Sequence, residues 1–134
     1  MNNELNDEIL LLAPKEEDQL EEYTQFEIYL PYPKEEFLQN SEEPRRVPAI
    51  RTTYKDPTQE FINREFRELN FSSRNCFGSW HGEQEISVVI TYFVLTSEAL
   101  PIYKKFEEIA KKYKEEFKQE TVLITVNFIR AKFV

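Results

Sequence analysis

The sequence has little glycine, cysteine or histidine, and each shortage excludes a class of site. Two glycines in 134 residues nearly exclude a glycine-rich phosphate-binding loop. A single cysteine, Cys76, excludes a disulfide framework and a cysteine-based zinc site. A single histidine, His81, excludes a site with several histidine ligands. We therefore expect no metal ion and no cofactor, and we expect Cys76 to be a reduced thiol.

Long apolar runs are missing as well. The run in the N-terminal region, Ile9–Ala13, has five residues and is closed by Pro14, whereas a bilayer-spanning helix needs about 20. Its flanks are acidic, unlike those of a secretory signal, and anionic lipids would repel them. We expect a cytoplasmic protein that does not contact membranes.

Basic side chains are outnumbered: 17 Lys and Arg oppose 25 Asp and Glu, for a formal net charge of -8. Residues 1–22 hold eight acids and one lysine, a net -7, so the other 112 residues carry only -1. The chain therefore divides into an acidic arm, 1–22, and a single domain, 23–134. The acidic balance argues against nucleic acid as a partner, because phosphates require a basic surface.

The arm contains four consecutive aliphatic side chains, and two interpretations of them stay open. These side chains are Ile9, Leu10, Leu11 and Leu12. The arm can be a solvated terminus. Alternatively, the four side chains dock on an apolar groove of this chain or of a partner protein, since full burial contributes about 1.5–3 kcal/mol for each.

Apolar periodicity predicts four strands and two helices in the domain. Asp56 and Pro57 suit the N-cap and the first turn of one helix, and Ser97 suits the N-cap of the other. In chain order we predict a strand at 23–30, a helix at 57–69, a strand within 73–82 with a bulge near Gly78, a turn at His81-Gly82-Glu83, a strand at 85–95, a helix at 97–118 and a strand at 121–134. The connection 31–56 is long for a compact domain, which is typical of a functional or mobile loop, and 47–54 is a candidate edge strand.

This order of elements predicts an α+β fold, a ferredoxin-like βαββαβ sandwich with an antiparallel sheet and two helices on one face. The apolar faces of strands and helices should meet in one core. The second face of the sheet then has no helix to cover it. That face would carry Tyr29, Val89, Thr91, Phe93, Leu95, Leu123, Thr125 and Ile129, which is too apolar a surface to leave exposed.

The run Tyr113-Lys114-x-x-Phe117-x-Gln119-Glu120-Thr121-Val122-Leu123 resembles the end of a small bacterial domain family of unknown function. In that family a helix ends in Tyr-Lys-x-x-Phe-x-Gln-Glu-Ser-Val-Leu before the last strand, and a tryptophan corresponding to Trp80 precedes the central strand. The resemblance covers residues 80–134 and, more loosely, 23–30. Thr121 stands where the family has serine, and the family's secretion or lipoprotein leader is missing. The resemblance implies the fold and no activity.

No cluster of residues predicts catalysis, so the catalytic residues stay unknown. Cys76 and His81 would form a familiar nucleophile pair. An offset of five residues along a strand, however, places them on opposite faces and about 16 Å apart. The candidate binding residues are aromatic or polar side chains near the second sheet face and the 31–56 loop: Tyr29, Arg51, Arg74, Trp80, His81 and Phe93.

Three functions are compatible with these observations. We predict first a non-enzymatic association domain, most simply a homodimer joined through the second face of the sheet. The alternative is a small-molecule-binding protein or enzyme, with a pocket between the sheet and the 31–56 loop. In the third, the acidic arm imitates a polyanion or masks a basic partner protein.

Overall fold

The computed structural model describes residues 19–33 and 56–134, which form an α+β fold of one four-stranded antiparallel sheet and two helices. The elements are β1 (Glu21–Pro31), α1 (Pro57–Glu65), β2 (Ser72–Trp80), β3 (Glu83–Leu95), α2 (Ala99–Glu116) and β4 (Leu123–Ala131), with a 3₁₀ turn at Thr96–Glu98. The predicted order of strands and helices is confirmed. The candidate edge strand at 47–54 lies outside the described residues, as does most of the 31–56 connection.

The sheet places its first and third strands at the centre. Its order is β2-β3-β1-β4, and every neighbouring pair is antiparallel. Ile28 of β1 lies opposite Ile90 of β3 on one side and Ile124 of β4 on the other. Side chains directly opposite each other in antiparallel strands share a face. These three isoleucines therefore form one apolar row that faces the helices.

Both helices pack on that face and close the core. Phe106 of α2 is fully buried, and its ring centroid lies 5.6 Å from those of Phe26 and Phe66. Phe61 of α1 meets Tyr113 of α2 edge to face at 5.0 Å. The predicted contact between the apolar faces of strands and helices is confirmed. The buried core consists of Phe26, Ile28, Leu30, Phe61, Ile62, Phe66, Val88, Ile90, Val94, Phe106, Ile109, Ala110 and Tyr113.

The first helix begins where the sequence predicts and ends earlier. The Asp56 side chain accepts a hydrogen bond from the Gln59 amide at 3.1 Å, and Pro57 occupies the first turn. These contacts satisfy a backbone donor that the start of a helix leaves unpaired. The predicted end at residue 69 is wrong, since Phe66 is already the C-cap.

The second helix begins two residues later than predicted. Ser97 does not cap it, because Ser97 lies inside the 3₁₀ turn and Glu98 occupies the N-cap without a side-chain hydrogen bond. The anchored residue is Thr96, whose hydroxyl lies 3.0 Å from that of the buried Thr24 and so holds the turn against β1. Within the described ranges, neither helix has the length and apolar character needed to cross a membrane.

Strands β2 and β3 form a hairpin with a two-residue loop. The register is continuous as far as Trp80, which pairs with Glu83, so the predicted bulge near Gly78 is wrong. His81 and Gly82 form the loop, and their φ angles are 52° and 80°. Positive φ at both loop residues is the feature of a type I′ turn, whose twist matches that of the flanking strands. Glu83 therefore belongs to β3 rather than to the turn.

The end of α2 is a Schellman-type cap built on a left-handed lysine. The Gln119 amide donates to the Lys114 carbonyl at 3.0 Å, and Lys118 has a φ of 52°. A left-handed residue that carries a Cβ costs about 1 kcal/mol, which glycine avoids. We expect Lys118→Gly to raise the free energy of unfolding by about 0.5–1 kcal/mol in urea denaturation. In the control, Lys114→Gly inside the helix should lower it by about 1 kcal/mol; a loss of stability in both variants would contradict the prediction.

Candidate functional site

The sheet face opposite the helices, called the open face below, brings side chains from all four strands into rows. One row contains Ser72 of β2, Thr91 of β3, Glu27 of β1 and Thr125 of β4. The next row contains Arg74, Val89, Tyr29 and Leu123 in the same strand order. Of the part of the chain that the structure describes, neither helix packs on this face.

Glu27 is the centre of a hydrogen-bond network to which each strand contributes. Its Oε2 accepts from Thr91 Oγ1 at 3.1 Å and from Arg74 Nη2 at 3.3 Å. Its Oε1 accepts from Thr125 Oγ1 at 3.3 Å, and the Tyr29 hydroxyl lies 3.5 Å from the same oxygen. The Glu27 side chain is only 14% exposed. A carboxylate with so little access to water needs such donors, so the network holds Glu27 in one orientation.

Arg74 supplies the positive charge of this network. Its side chain is half-exposed at the edge of the open face. Interaction with Tyr29, and then with the Glu27 carboxylate, raises the pKa of Arg74 above its ordinary value. An ion pair with this much solvent around the arginine contributes little stability by itself. What Arg74 adds is a permanent charge and a fixed direction for the Glu27 carboxylate.

The network changes the predicted character of the open face. Phe93 and Leu123 are exposed, as the predicted uncovered apolar face would have them, whereas Val89 is fully buried. The middle of the face, however, carries the ion pair of Glu27 and Arg74 and two threonine hydroxyls. Covering that centre with an apolar partner would remove water from the charges, which costs free energy. The open face is therefore less apolar than the sequence pattern predicted.

A groove of about 560 Å³ lies where the open face meets the hairpin loop and the connection between α2 and β4. Its volume falls in the range of small-molecule sites, about 300–1,000 Å³. The ring and ionisable side chains that line it are Tyr29, His81, Glu83, Glu85, Lys118 and Glu120. Three carboxylates against one lysine make the described lining acidic. Leu123 and Pro31 add apolar surface beside the Tyr29 ring.

Three of the six sequence-predicted binding residues lie in this region. Tyr29 belongs both to the network around Glu27 and to the lining of the groove. Arg74 belongs to the network, and His81, at the tip of the hairpin, lines the groove. The register of β1 with β3 and of β3 with β2 brings Tyr29 and Arg74 into one row. His81 lies seven residues beyond Arg74 along the hairpin, roughly 23 Å away. That these three residues bind a ligand stays a prediction.

Of the other three predicted residues, only Phe93 has a described side chain. Phe93 lies on the open face and is exposed, one row beyond Thr91 and away from the groove. Trp80 is the last residue of β2, and its main chain pairs with that of Glu83. Arg51 lies outside the described residues.

Sequence reasoning missed Glu27, Thr91 and Thr125 as members of one cluster. The available signal was a charged residue at Glu27, inside a strand whose neighbours on the other face are all apolar. Threonine is common in strands, so neither threonine stands out by type. Only the register of three strands shows that the two hydroxyls lie on either side of one carboxylate.

The charges of the helix layer pair with one another. Glu65 contacts Arg64 at 3.0 Å and Lys112 at 3.2 Å, and Arg64 also contacts Glu116 at 2.9 Å. Burial alone would raise the pKa of Glu65, but hydrogen bonds from Arg64 and Lys112 outweigh it and lower that pKa. Over residues 19–33 and 56–134, no group of three or more metal-ligating side chains occurs. The described outer surface of the helix layer is thus ion-paired.

Comparison with known proteins gives a distant structural likeness. No family model matches this chain, and no curated protein matches it. Among solved structures, the chain is similar to a phage SAM lyase in the apo state, with 14% identity, coverage of 86% of this chain and 91% of that chain, and a TM-score of 0.40. It is also similar to a phage SAM lyase in complex with S-methyl-5′-thioadenosine, with 15% identity, coverage of 84% and 89%, and a TM-score of 0.38.

These comparisons correct two predictions. The resemblance to a bacterial domain family of unknown function is wrong, because no family model matches and the matched structures are of phage SAM lyase. The predicted non-enzymatic association domain is contradicted, because the matched structures are those of an enzyme. The physical reason lies in the open face, whose centre is ion-paired rather than apolar. Likenesses at this identity and TM-score assign no site residue, so the site rests on this chain's own side chains.

Proposed function

We propose that this chain binds a small organic molecule in the groove at the end of the open face. Tyr29 carries the proposal, because it lines the groove and its hydroxyl lies 3.5 Å from the Glu27 carboxylate. That carboxylate is itself held by donors from three other strands. A contact surface held in place before the ligand arrives loses less entropy on binding. The groove volume of about 560 Å³ is adequate for such a ligand.

The charge of the groove favours a cationic ligand. Glu83, Glu85 and Glu120 line it against the single lysine Lys118. Carboxylates that share a cleft attract cations and raise their local concentration. The face of the Tyr29 ring adds an attraction of about 0.5–2 kcal/mol for a cation placed over it. The ligand class is therefore a small organic cation with an apolar body.

Titration calorimetry with two related probes tests this class. SAM is a sulfonium cation, whereas S-methyl-5′-thioadenosine is an uncharged thioether with the same nucleoside. We expect the chain to bind SAM and to bind S-methyl-5′-thioadenosine more weakly, because only the first carries a charge that the groove carboxylates attract. Equal affinity for both probes would contradict the cationic class. Binding of neither probe would contradict the proposal for ligands of this kind.

A matched pair of substitutions locates the binding. Glu120→Gln removes one carboxylate from the groove and keeps the shape of the side chain. We expect it to weaken SAM binding about fivefold, which corresponds to about 1 kcal/mol. The control, Glu108→Gln, changes an exposed carboxylate of α2 that does not line the groove, and should leave the affinity unchanged. An equal effect of the two substitutions would show that net charge, rather than the groove, sets the affinity.

For the fold, we infer a ferredoxin-like sandwich as the detailed arrangement. Three observations support it: β1 and β3 are central, each neighbouring pair of strands is antiparallel, and both described helices pack on one face. In such a sandwich the second face is the one left for a ligand, which agrees with the position of the groove.

A further inference from the structure

We propose that the outer edge of β4 pairs with the same edge of a second copy of this chain, antiparallel, around a two-fold axis at Val126. This surface is the edge of the sheet and not its open face, although Glu120 and Leu123 belong both to this edge and to the lining of the groove. In the described part of the chain, β4 is an outermost strand of the sheet. Its segment from Leu123 to Ile129 contains seven residues with neither charge nor proline. A strand edge of this kind is a template for pairing with another strand.

The side chains at this edge are apolar and exposed on both faces. On the helix face Phe128 is 76% exposed and Val126 is 38% exposed, and on the open face Leu123 is 57% exposed. Large apolar side chains grouped in this way mark an interaction surface. A strand that pairs along the edge would cover the backbone groups and these side chains together.

The sequence of β4 is complementary to itself in one register. With the two-fold axis at Val126, a residue of one copy lies opposite the residue of the other copy for which the two residue numbers sum to 252. On the helix face, Val126 meets itself and Ile124 meets Phe128. On the open face, Leu123 meets Ile129 and Thr125 meets Asn127. Between Leu123 and Ile129, apolar side chains thus meet apolar ones and polar side chains meet polar ones, which is the pairing that stabilises a sheet; beyond this segment, Arg130 falls opposite Val122.

The same register matches charges beyond the strand ends. Glu120 of each copy lies opposite Lys132 of the other, so two opposite-charge pairs form. In the single chain, Lys132 donates to the amide oxygen of Gln19 at 3.0 Å, and it forms no ion pair with another residue of 19–33 or 56–134. Charge complementarity of this kind fixes register and partner.

Neighbouring registers lose the match of apolar side chains on the open face. An axis at Thr125 would place Leu123 opposite Asn127 and Ile129 opposite Thr121. Both of these pairs set an apolar side chain against a polar one. An axis at Asn127 would place Thr125 opposite Ile129 and would place Glu120 opposite Val134 instead of Lys132. The register centred on Val126 is therefore the one that we test.

Disulfide trapping tests the register directly. In a Cys76→Ser background, Val126→Cys places two thiols across the axis, where paired Cα atoms lie about 4.5–5.5 Å apart, within the range of a disulfide. Phe128→Cys is the matched control, since its two copies would lie four residues apart, or about 13 Å. We expect a cross-linked dimer for Val126→Cys after mild oxidation and a monomer for Phe128→Cys. Equal cross-linking of both variants, or of neither, would overturn the proposed register.

A charge swap tests the partner in solution without cysteines. The unaltered chain should sediment at high micromolar concentration with twice its mass of 16.1 kDa. Glu120→Lys and Lys132→Glu should each weaken the dimer about tenfold or more, because each creates two like-charge contacts. The double variant restores both pairs and should restore the dimer. A monomeric unaltered chain, or a double variant as weak as the single ones, would overturn the proposal.

Discussion

Replacing Phe106 by alanine is expected to lower the free energy of unfolding by about 3–5 kcal/mol, the cost of removing a fully buried aromatic side chain and leaving a cavity. The ring of Phe106 lies 5.6 Å from those of Phe26 and Phe66 and 6.4 Å from that of Tyr92. It therefore packs against two strands and the residue that caps the first helix, and its loss loosens both layers. Chemical denaturation monitored by circular dichroism measures the change.

Two further variants keep this prediction testable if the alanine variant does not fold. Domains of this size have a free energy of unfolding of about 5–15 kcal/mol, so a loss of 5 can leave little folded protein. Phe106→Leu retains most of the volume and should cost less than the alanine variant. Phe77→Ala removes an aromatic side chain that is exposed and should change stability by no more than about 0.5 kcal/mol. Similar losses for Phe77→Ala and Phe106→Leu would contradict the assignment of the core.

Replacing Glu27 by alanine is expected to lower the free energy of unfolding by about 2–3 kcal/mol, the range for hydrogen bonds to a charged group. The substitution leaves the hydroxyls of Thr91 and Thr125 without the acceptor that they share. It also frees Tyr29 from its contact with the carboxylate, so SAM binding in the groove should weaken even though Glu27 does not line the groove. Denaturation measures the first effect, and calorimetric titration measures the second.

The controls for Glu27 separate charge from packing. Glu22→Ala removes an exposed carboxylate from the same strand and should change neither stability nor binding. Glu27→Gln keeps the shape and one acceptor oxygen, so it should lose less stability than the alanine variant. An alanine variant as stable as Glu22→Ala would show that the network does not hold the sheet. Unchanged binding with lost stability would separate the network from the proposed site.

The sequence predicted the elements and the core because both depend on local patterns. The alternation around Ile28 and the helical spacing around Phe106 report which face of each element is apolar, and burial follows from that face. The helix boundaries that were predicted wrongly depend instead on contacts with residues that are distant in the chain. Ser97 loses the cap position because Thr96 is anchored to Thr24, a residue far away in the chain.

The site was only partly predictable because it depends on register. Tyr29, Arg74 and His81 were chosen as polar or aromatic side chains near one sheet face; Tyr29 and Arg74 both contact Glu27, and Tyr29 and His81 both line the groove. Glu27 was not chosen, because a single charged residue in a strand does not indicate a site until the residues opposite it on the neighbouring strands are known. Register between strands that are distant in the chain is set by the whole sheet, which a local pattern does not contain.

The central position of β1 has a consequence for how the chain acquires its structure during synthesis. β1 is translated early, yet both its neighbours come much later, and Glu27 bonds Thr125 across 98 residues. Pairing between strands so far apart in the sequence is slow, because closing the long loop between them costs conformational entropy before the contacts that compensate for it have formed. Until β4 has left the ribosome, one edge of β1 stays unpaired beside an incomplete core. The sheet of the nascent chain therefore stays incomplete until β4 has been synthesised, whatever the intrinsic stability of the other elements.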